Sequence, residues 1–473
     1  MFSFLKRGSL SKGLPPIVKK SDGHIDILDG LRGLAILLVF WFHLWQMTWF
    51  NAAFKLPAWG ILGSFAGQQI SLDFISWFGF IGVELFFFVS GFALFYPYAQ
   101  GIWSGKRHQS LFEYTGKRFF KIVPSYFLAL LGLGLFAFLG QYLFGDSGGL
   151  KDGDIWKNIW THLTFTHNLW PETESGFTGV LWSLAVEVQF YLFFPFLAWL
   201  IRKGVIPALL TFAGIIGIAF GYRAMVLPNC IATGNFFPLH QLPSFIDLFA
   251  YGMFAAWLFV LLKTKVKKIE ALKVFFTIAA VLSMIGFFIA LNEGYIIRYA
   301  KNAVQLWQLQ YRPIIGVLLI VVTIGSAFAF KAWRKILANP ILLFLSTISY
   351  NLYIYHQFIS RELLVRKIGF PAELDLQKIS NPADEIWQWV FVLIAVATSI
   401  ITATIITHFF ELPILNAGKG WLRRTSEKMR LKKEPPPVSV EAEVEPEVGS
   451  EVEPEVTTIT EDKGIDVDEN NKQ

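Results

Sequence analysis

Apolar residues along positions 31–411 come in long unbroken runs, not in the spaced stripes that mark amphipathic helices. Each run is about 20 residues, the length an α-helix needs to cross a hydrocarbon core of roughly 30 Å. The runs lie near 31–50, 74–97, 122–144, 179–200, 205–226, 243–262, 273–291, 312–330, 341–364 and 386–411. In lipid, a spanning segment must satisfy its own backbone hydrogen bonds, so the pattern predicts an all-α polytopic membrane protein of about ten transmembrane helices. Lysines and acids precede the first run and no small-residue cleavage site follows it, so it reads as a retained span and not a signal peptide.

Composition agrees with a bilayer. Hydrophobic residues make up 54% of the 473 and charged residues 16%, whereas a soluble surface needs roughly a quarter of its residues charged. The net charge of +6 hides two opposed regions. From Glu434 onward the chain carries 13 acids against Lys463 and Lys472, and it repeats EVEPEV at Glu443 and Glu451. This Pro-rich acidic stretch cannot bury a core and is expected to be a disordered tail.

The remainder is strongly basic, which could suggest nucleic acid. Its cations, however, sit in short clusters between apolar runs: Lys106 with Arg107, Lys263 with Lys265, Arg334 with Lys335, Arg423 with Arg424. Clusters in alternate loops are the positive-inside pattern, and the other loops are richer in acid, as with Asp146, Asp152 and Asp154. Both termini are therefore expected to be cytoplasmic, and the protein to lie in the plasma (inner) membrane. The expected divisions are a cytoplasmic segment 1–25, a membrane domain 26–415, a basic juxtamembrane segment 416–433 and the tail 434–473. Cys230 is the only cysteine, which excludes an intrachain disulfide and a thiolate zinc site.

An ionisable side chain inside a bilayer costs at least about 2.5–3.5 kcal/mol, so each one is a candidate for function. Four stand out: His43, Glu84, Glu187 and His356. Counted inward from the outer ends of their spans, they lie about 10, 15, 12 and 12 Å deep. Any one alone could be a core residue bonded to backbone carbonyls. Four at one level imply a polar cavity near the midplane. Arg32 lies eleven residues before His43, so both fall on one helix face, about 16 Å apart. A fork-shaped cation at the mouth suits phosphate, and an imidazole at cavity depth suits taking a proton from a hydroxyl.

These residues sit in recognisable strings. DGLRGLAILLVFWFHLW at 29–45 resembles the opening signature of the acyltransferase-3 family of membrane O-acyltransferases, as does GFIGVELFFFVSGF at 79–92. RFFKIVPSYF at 118–127, WSLAVEVQFYLFFP at 182–195 and SYNLYIYHQF at 349–358 are similar to its later motifs, and the matches run in order. The resemblance implies a ten-span module that moves an acyl group, commonly acetyl, from acyl-CoA in the cytosol to a hydroxyl of a carbohydrate or other envelope acceptor. Acyl-CoA would be a co-substrate, with no permanently bound cofactor.

By resemblance the essential Arg and His carry over to Arg32 and His43, and looser matches to Glu84, Arg118, Glu187 and His356. Where the family generally has a second Arg this chain has Lys121, a point charge in place of a bidentate fork. The expected arrangement has Arg32, Arg118 and Lys121 on the CoA phosphates, and His43 as base or acyl-carrying nucleophile. Glu84 is expected on the second ring nitrogen of His43, with Ser183, Tyr191 or Tyr353 near the oxyanion. Ser90 and Gly91 read as close-packing residues. Trp156, Trp160 and Trp170 could stack on sugars. His162 and His167 lack a nearby third ligand, so no metal is expected. The rival reading is a proton-coupled secondary transporter, since a relay also uses buried His and Glu.

Overall fold

The computed structural model describes residues 25–48, 53–55, 69–71, 73–106, 109–144, 155–369 and 386–431. The N-terminal segment, Arg107, the loop acids Asp146, Asp152 and Asp154, and the tail from Glu434 lie outside the described residues. Helix α1 (Asp26–Thr48) leads into a short antiparallel pair, β1 (Ala53–Lys55) and β2 (Gln69–Ser71). Then come α2 (Asp73–Trp77), α3 (Ile81–Ser104), α4 (Leu111–Phe144), α5 (Ile155–Leu163) and α6 (Leu181–Ile201). The series continues with α7 (Val205–Thr233), α8 (Leu242–Lys265), α9 (Lys273–Ile297) and α10 (Ala303–Phe328). It closes with α11 (Lys331–Leu337), α12 (Pro340–Val365), α13 (Ile386–Ile406) and, after a π-helical turn Thr407–Glu411, α14 (Leu412–Leu431).

Among the described residues ten helical stretches are long and apolar enough to cross a membrane, as the sequence predicts. The helices overrun the apolar runs for local reasons. Helix α1 starts five residues early because Asp26 and Asp29 occupy its first turn, where carboxylates oppose the positive end of the helix dipole. Helix α4 starts at a capping box: the Ser110 hydroxyl accepts from the Glu113 amide and the Glu113 carboxylate accepts from the Ser110 amide. The Asn339 side chain caps α12 by accepting from the Leu342 amide, with Pro340 at the first helical position.

The described residues up to Arg424 form one compact unit, and residues 425–431 of a second unit are helical. Within the first unit α3 packs on α8 and α1 on α12 along their lengths. Glycines permit this. A Cβ at Gly91 would stand 2.2 Å from the Phe249 carbonyl oxygen, and one at Gly252 1.9 Å from that of Phe88. Gly33 meets the Leu342 carbonyl in the same way. Without bulk water between helices, such close backbone contact is what holds a membrane bundle together. The outward faces carry exposed Leu192, Ile206, Leu210 and Phe275, the side chains that lipid would cover.

Candidate active site

Two cavities that share Val83 in their linings bear on the candidate site. The first, of about 100 Å³, is lined by Arg32 of α1, Ser90 of α3, Arg118 and Lys121 of α4, Glu187 and Tyr191 of α6, and Ser349 and Tyr353 of α12. It has room for several waters or a slender chain, since one water needs about 10–15 Å³. Its charges are unequally matched. Lys121 is ion-paired with the buried Glu411, which also accepts 2.7 Å from the Asn351 amide. Glu187 accepts from the Ser90 hydroxyl and, at 2.5 Å, from the Tyr191 hydroxyl. Among the described residues Arg32 and Arg118 have no carboxylate within ion-pair distance; Arg118 lies over the Tyr191 ring and its Nε is buried without an acceptor. Two such guanidinium groups beside one cavity can compensate an anion there, set against the one carboxylate of the lining, Glu187.

The second cavity is larger, about 720 Å³. Aromatic rings including Phe42, Trp77, Trp182 and Phe245 line it, together with Gln46, Glu84, Arg223, His240, Gln305, Gln308 and Arg312. Here every charge has its opposite. Glu84 Oε1 accepts from Arg312 Nε at 3.1 Å and Nη2 at 2.8 Å, both side chains being buried. Arg223 Nη2 donates to Asp247 at 2.7 Å. The carbonyl of Ser244 joins the two pairs, accepting from Arg223 and from Arg312. His240 stacks on Trp182 and contacts Glu174 at 2.7 Å.

The wall between the cavities is thin. Val83 lines both. Helix α6 borders the second with Trp182 and the first with Ser183, and α1 borders the first with Arg32 and the second with Gln46. His43 lies between those two positions of α1 and lines neither cavity. Its partner is His356, with Nε2 of that ring 3.1 Å from Nδ1 of His43. Tyr353 is the last α12 residue on the first cavity, one turn before His356, and its hydroxyl is 2.6 Å from that of Ser183.

Donor and acceptor counting sets the tautomers. His356 Nδ1 lies 2.8 Å from the Tyr353 carbonyl and 3.0 Å from that of Leu352. Carbonyls only accept, so Nδ1 carries the hydrogen and Nε2 the lone pair. That lone pair receives the Nδ1 hydrogen of His43, which is also 2.9 Å from the Val39 carbonyl. The lone pair of His43 Nε2 has no partner among the described residues, on a half-buried ring.

The four midplane groups therefore do not meet in one chamber. The structure joins His43 to His356, sets Glu187 in the first cavity and Glu84 in the second. The expected Glu84–His43 bond is replaced by Glu84–Arg312, because a buried carboxylate is better compensated by a bidentate guanidinium than by a neutral ring. His356 takes the orienting position. Ser90 is no packing residue: it serves Glu187, while Gly91 does pack. Ser183 and Tyr353 bond one another and Tyr191 bonds Glu187, so none of these hydroxyls is a free oxyanion donor here. Arg223, Asp247, Arg312 and Glu411 escaped the sequence reading. All four obey the same rule of charge inside an apolar run, but each lies near an end of its run, where a charge is ordinary.

The segment of α5 and its connection to α6 is held by Gln189 and Gln241, which donate to Asn168. Within it His162 and His167 are buried and stack face to face at 4.0 Å. Burial, reinforced by the neighbouring ring, pushes the His162 pKa down to about 3, and burial pushes His167 down to about 4. Trp156 and Trp160 stand exposed on α5.

A family model described as "Acyltransferase domain" matches residues 25–408. The chain is 31% identical over 195 residues to the acyltransferase MdmB of Streptomyces mycarofaciens, covering 40% of this chain and 42% of that protein. It is 31% identical to nodulation protein 10 of Rhizobium leguminosarum bv. viciae, over 40% of this chain and 48% of that one. With the peptidoglycan O-acetyltransferase OatA of Listeria monocytogenes it shares 22% identity across 84% of its own length and 57% of the other's. The chain thus spans about half the length of the curated relatives it matches. No solved structure matches it.

Proposed function

Because the chain belongs to the acyltransferase-3 family, we propose that it is a membrane O-acyltransferase carrying an acyl group, acetyl in the simplest case, from acyl-CoA to a hydroxyl of a carbohydrate acceptor. The reading rests chiefly on Arg32 and Arg118, two guanidinium groups that line a narrow cavity, have no ion-pair partner among the described residues, and outnumber the one carboxylate there, Glu187. They would hold the CoA phosphates at the cytosolic end. Lys121, already paired with Glu411, would contribute less charge. The pantetheine arm would extend past Glu187 toward Tyr353, which must leave Ser183 for the thioester to reach His43.

His43 Nε2 would then take the proton of the acceptor hydroxyl as its oxygen attacks the thioester carbon. The C–O bond forms, the C–S bond breaks, and the imidazolium returns its proton to the departing thiolate. His356 would hold the His43 ring in the tautomer that leaves Nε2 free, the service an acid performs for the histidine of a hydrolase triad. Basic clusters on the Arg32 side favour both termini in the cytoplasm of a plasma-membrane protein.

The test is radiolabelled acetyl transfer from acetyl-CoA in membranes containing the full chain. His43→Ala and Arg32→Ala should each lower transfer by at least about 100-fold with insertion unchanged. Wild-type transfer in both variants would refute the reading.

A further inference from the structure

Charge balance separates the two cavities more sharply than size does. In the Arg32 cavity two guanidinium groups have no ion-pair partner among the described residues and outnumber the one carboxylate there, Glu187. In the Glu84 cavity each ionised group already has its opposite: Glu84 with Arg312, Arg223 with Asp247. An anion entering the second cavity would lose its hydration and gain no free cation, so its burial would be uncompensated. A neutral ligand meets no such penalty.

The polar groups left over are of another kind. Gln46, Gln305 and Gln308 line the second cavity, and their side chains have no hydrogen-bond partner among the described residues. The Nε–H of Arg223, a residue 3% exposed, is buried without an acceptor. Each amide offers both a donor and an acceptor, as a hydroxyl or an acetamido group does. Trp182, backed on one face by His240 at 5.0 Å, is a rigid plane on which the apolar face of a ring can lie. Gln46 stands one turn beyond His43 on α1, about 4.5 Å along the axis.

We infer that the second cavity is the acceptor's binding site, taking an uncharged, hydroxyl- and amide-bearing ring and presenting it to His43 from the side opposite the donor. This rests on the proposed acyl transfer and adds to it where the acceptor binds and which acceptors are refused. Gln305 and Gln308 would set specificity by hydrogen bonds, and Trp182 by stacking.

The experiment uses the full chain in nanodiscs with radiolabelled acetyl-CoA and two probe acceptors, methyl N-acetyl-β-glucosaminide and methyl β-glucuronide. The uncharged glycoside should be acetylated with a kcat/KM at least tenfold above that of the anionic one. In Gln305→Leu/Gln308→Leu the KM for the glycoside should rise about tenfold, the effect of losing two neutral hydrogen bonds, while the KM for acetyl-CoA does not move. Should that variant fail to insert, Gln305→Asn/Gln308→Asn shortens the same amides and should give a smaller rise of the same kind. Equal use of the glucuronide, an unmoved glycoside KM, or a parallel rise in the acetyl-CoA KM would overturn the inference alone. No thiol release from acetyl-CoA with either probe would overturn the acyl-transfer reading and this inference with it.

Discussion

The pairing of Glu84 with Arg312 can be tested by a double-mutant cycle. Arg312 donates twice to Glu84 and once, at 3.0 Å, to the Ser244 carbonyl, and both side chains are 5% exposed. Arg312→Met keeps the apolar stem and removes all three bonds, leaving a carboxylate buried without a partner. Breaking one side of a buried ion pair costs about 3–5 kcal/mol, whereas replacing both sides by apolar groups is often close to neutral. Glu84→Leu alone should likewise cost several kcal/mol, because Arg312 then keeps only one acceptor. The double variant Glu84→Leu/Arg312→Met should come back to within about 1–2 kcal/mol of wild type. Reversible unfolding in SDS mixed micelles reads all four corners. The expected coupling is on the order of 3 kcal/mol or more. Additive losses would show that the two groups do not depend on one another and that Glu84 has another partner.

Other expectations concern the chemistry and the loop. His43→Ala should lower kcat by about 10²–10⁴, the usual worth of a general base. His356→Phe should cost up to about 10² of that and shift the pH–rate profile, a shift that a purely structural residue would not produce. Arg32→Lys keeps the charge and loses the fork, so the KM for acetyl-CoA should rise about 10-fold or more with kcat little changed; an unaltered KM would remove the phosphate from Arg32. For His162 and His167 the buried neutral rings titrate near 3 and 4, against about 6.5 in an unfolded chain. Between those values the unfolded loop binds protons that the folded loop does not. Loop stability is therefore complete above about pH 6.5 and falls as pH drops, by up to about 1.4 kcal/mol per histidine per unit. Amide-exchange protection of residues 155–169, corrected for intrinsic rate, should decline from pH 7 to pH 5; constant protection would contradict the burial of the pair.

Hydropathy alone is enough to predict the ten spans, because a bilayer imposes one length on every crossing. Arg32 and His43 were legible for a related reason: a single helix carries both, so spacing fixes their shared face. What the sequence could not supply is partner choice between helices. Glu84 and Glu187 look alike as carboxylates in apolar runs, yet one meets Arg312 and the other Ser90 and Tyr191. Hydropathy also places span ends poorly. Arg312 stood at the edge of its apolar run but lies nine residues inside α10, and Arg223 lies ten residues before the end of α7. Glu411 turns inward on a π-helical turn, a local shift of register with no sequence signature.

In the proposed mechanism the donor enters beside Arg32 and delivers its acyl carbon to His43. A cryo-EM map of the full chain with a non-hydrolysable acetyl-CoA analogue tests it directly. The expected density has phosphates within 4 Å of Arg32 and Arg118, Tyr353 parted from Ser183, and the acyl carbon in reach of His43 Nε2. Phosphates seated instead in the cavity of Glu84 and Arg312, or an acyl carbon stopped short of a closed Tyr353, would contradict it.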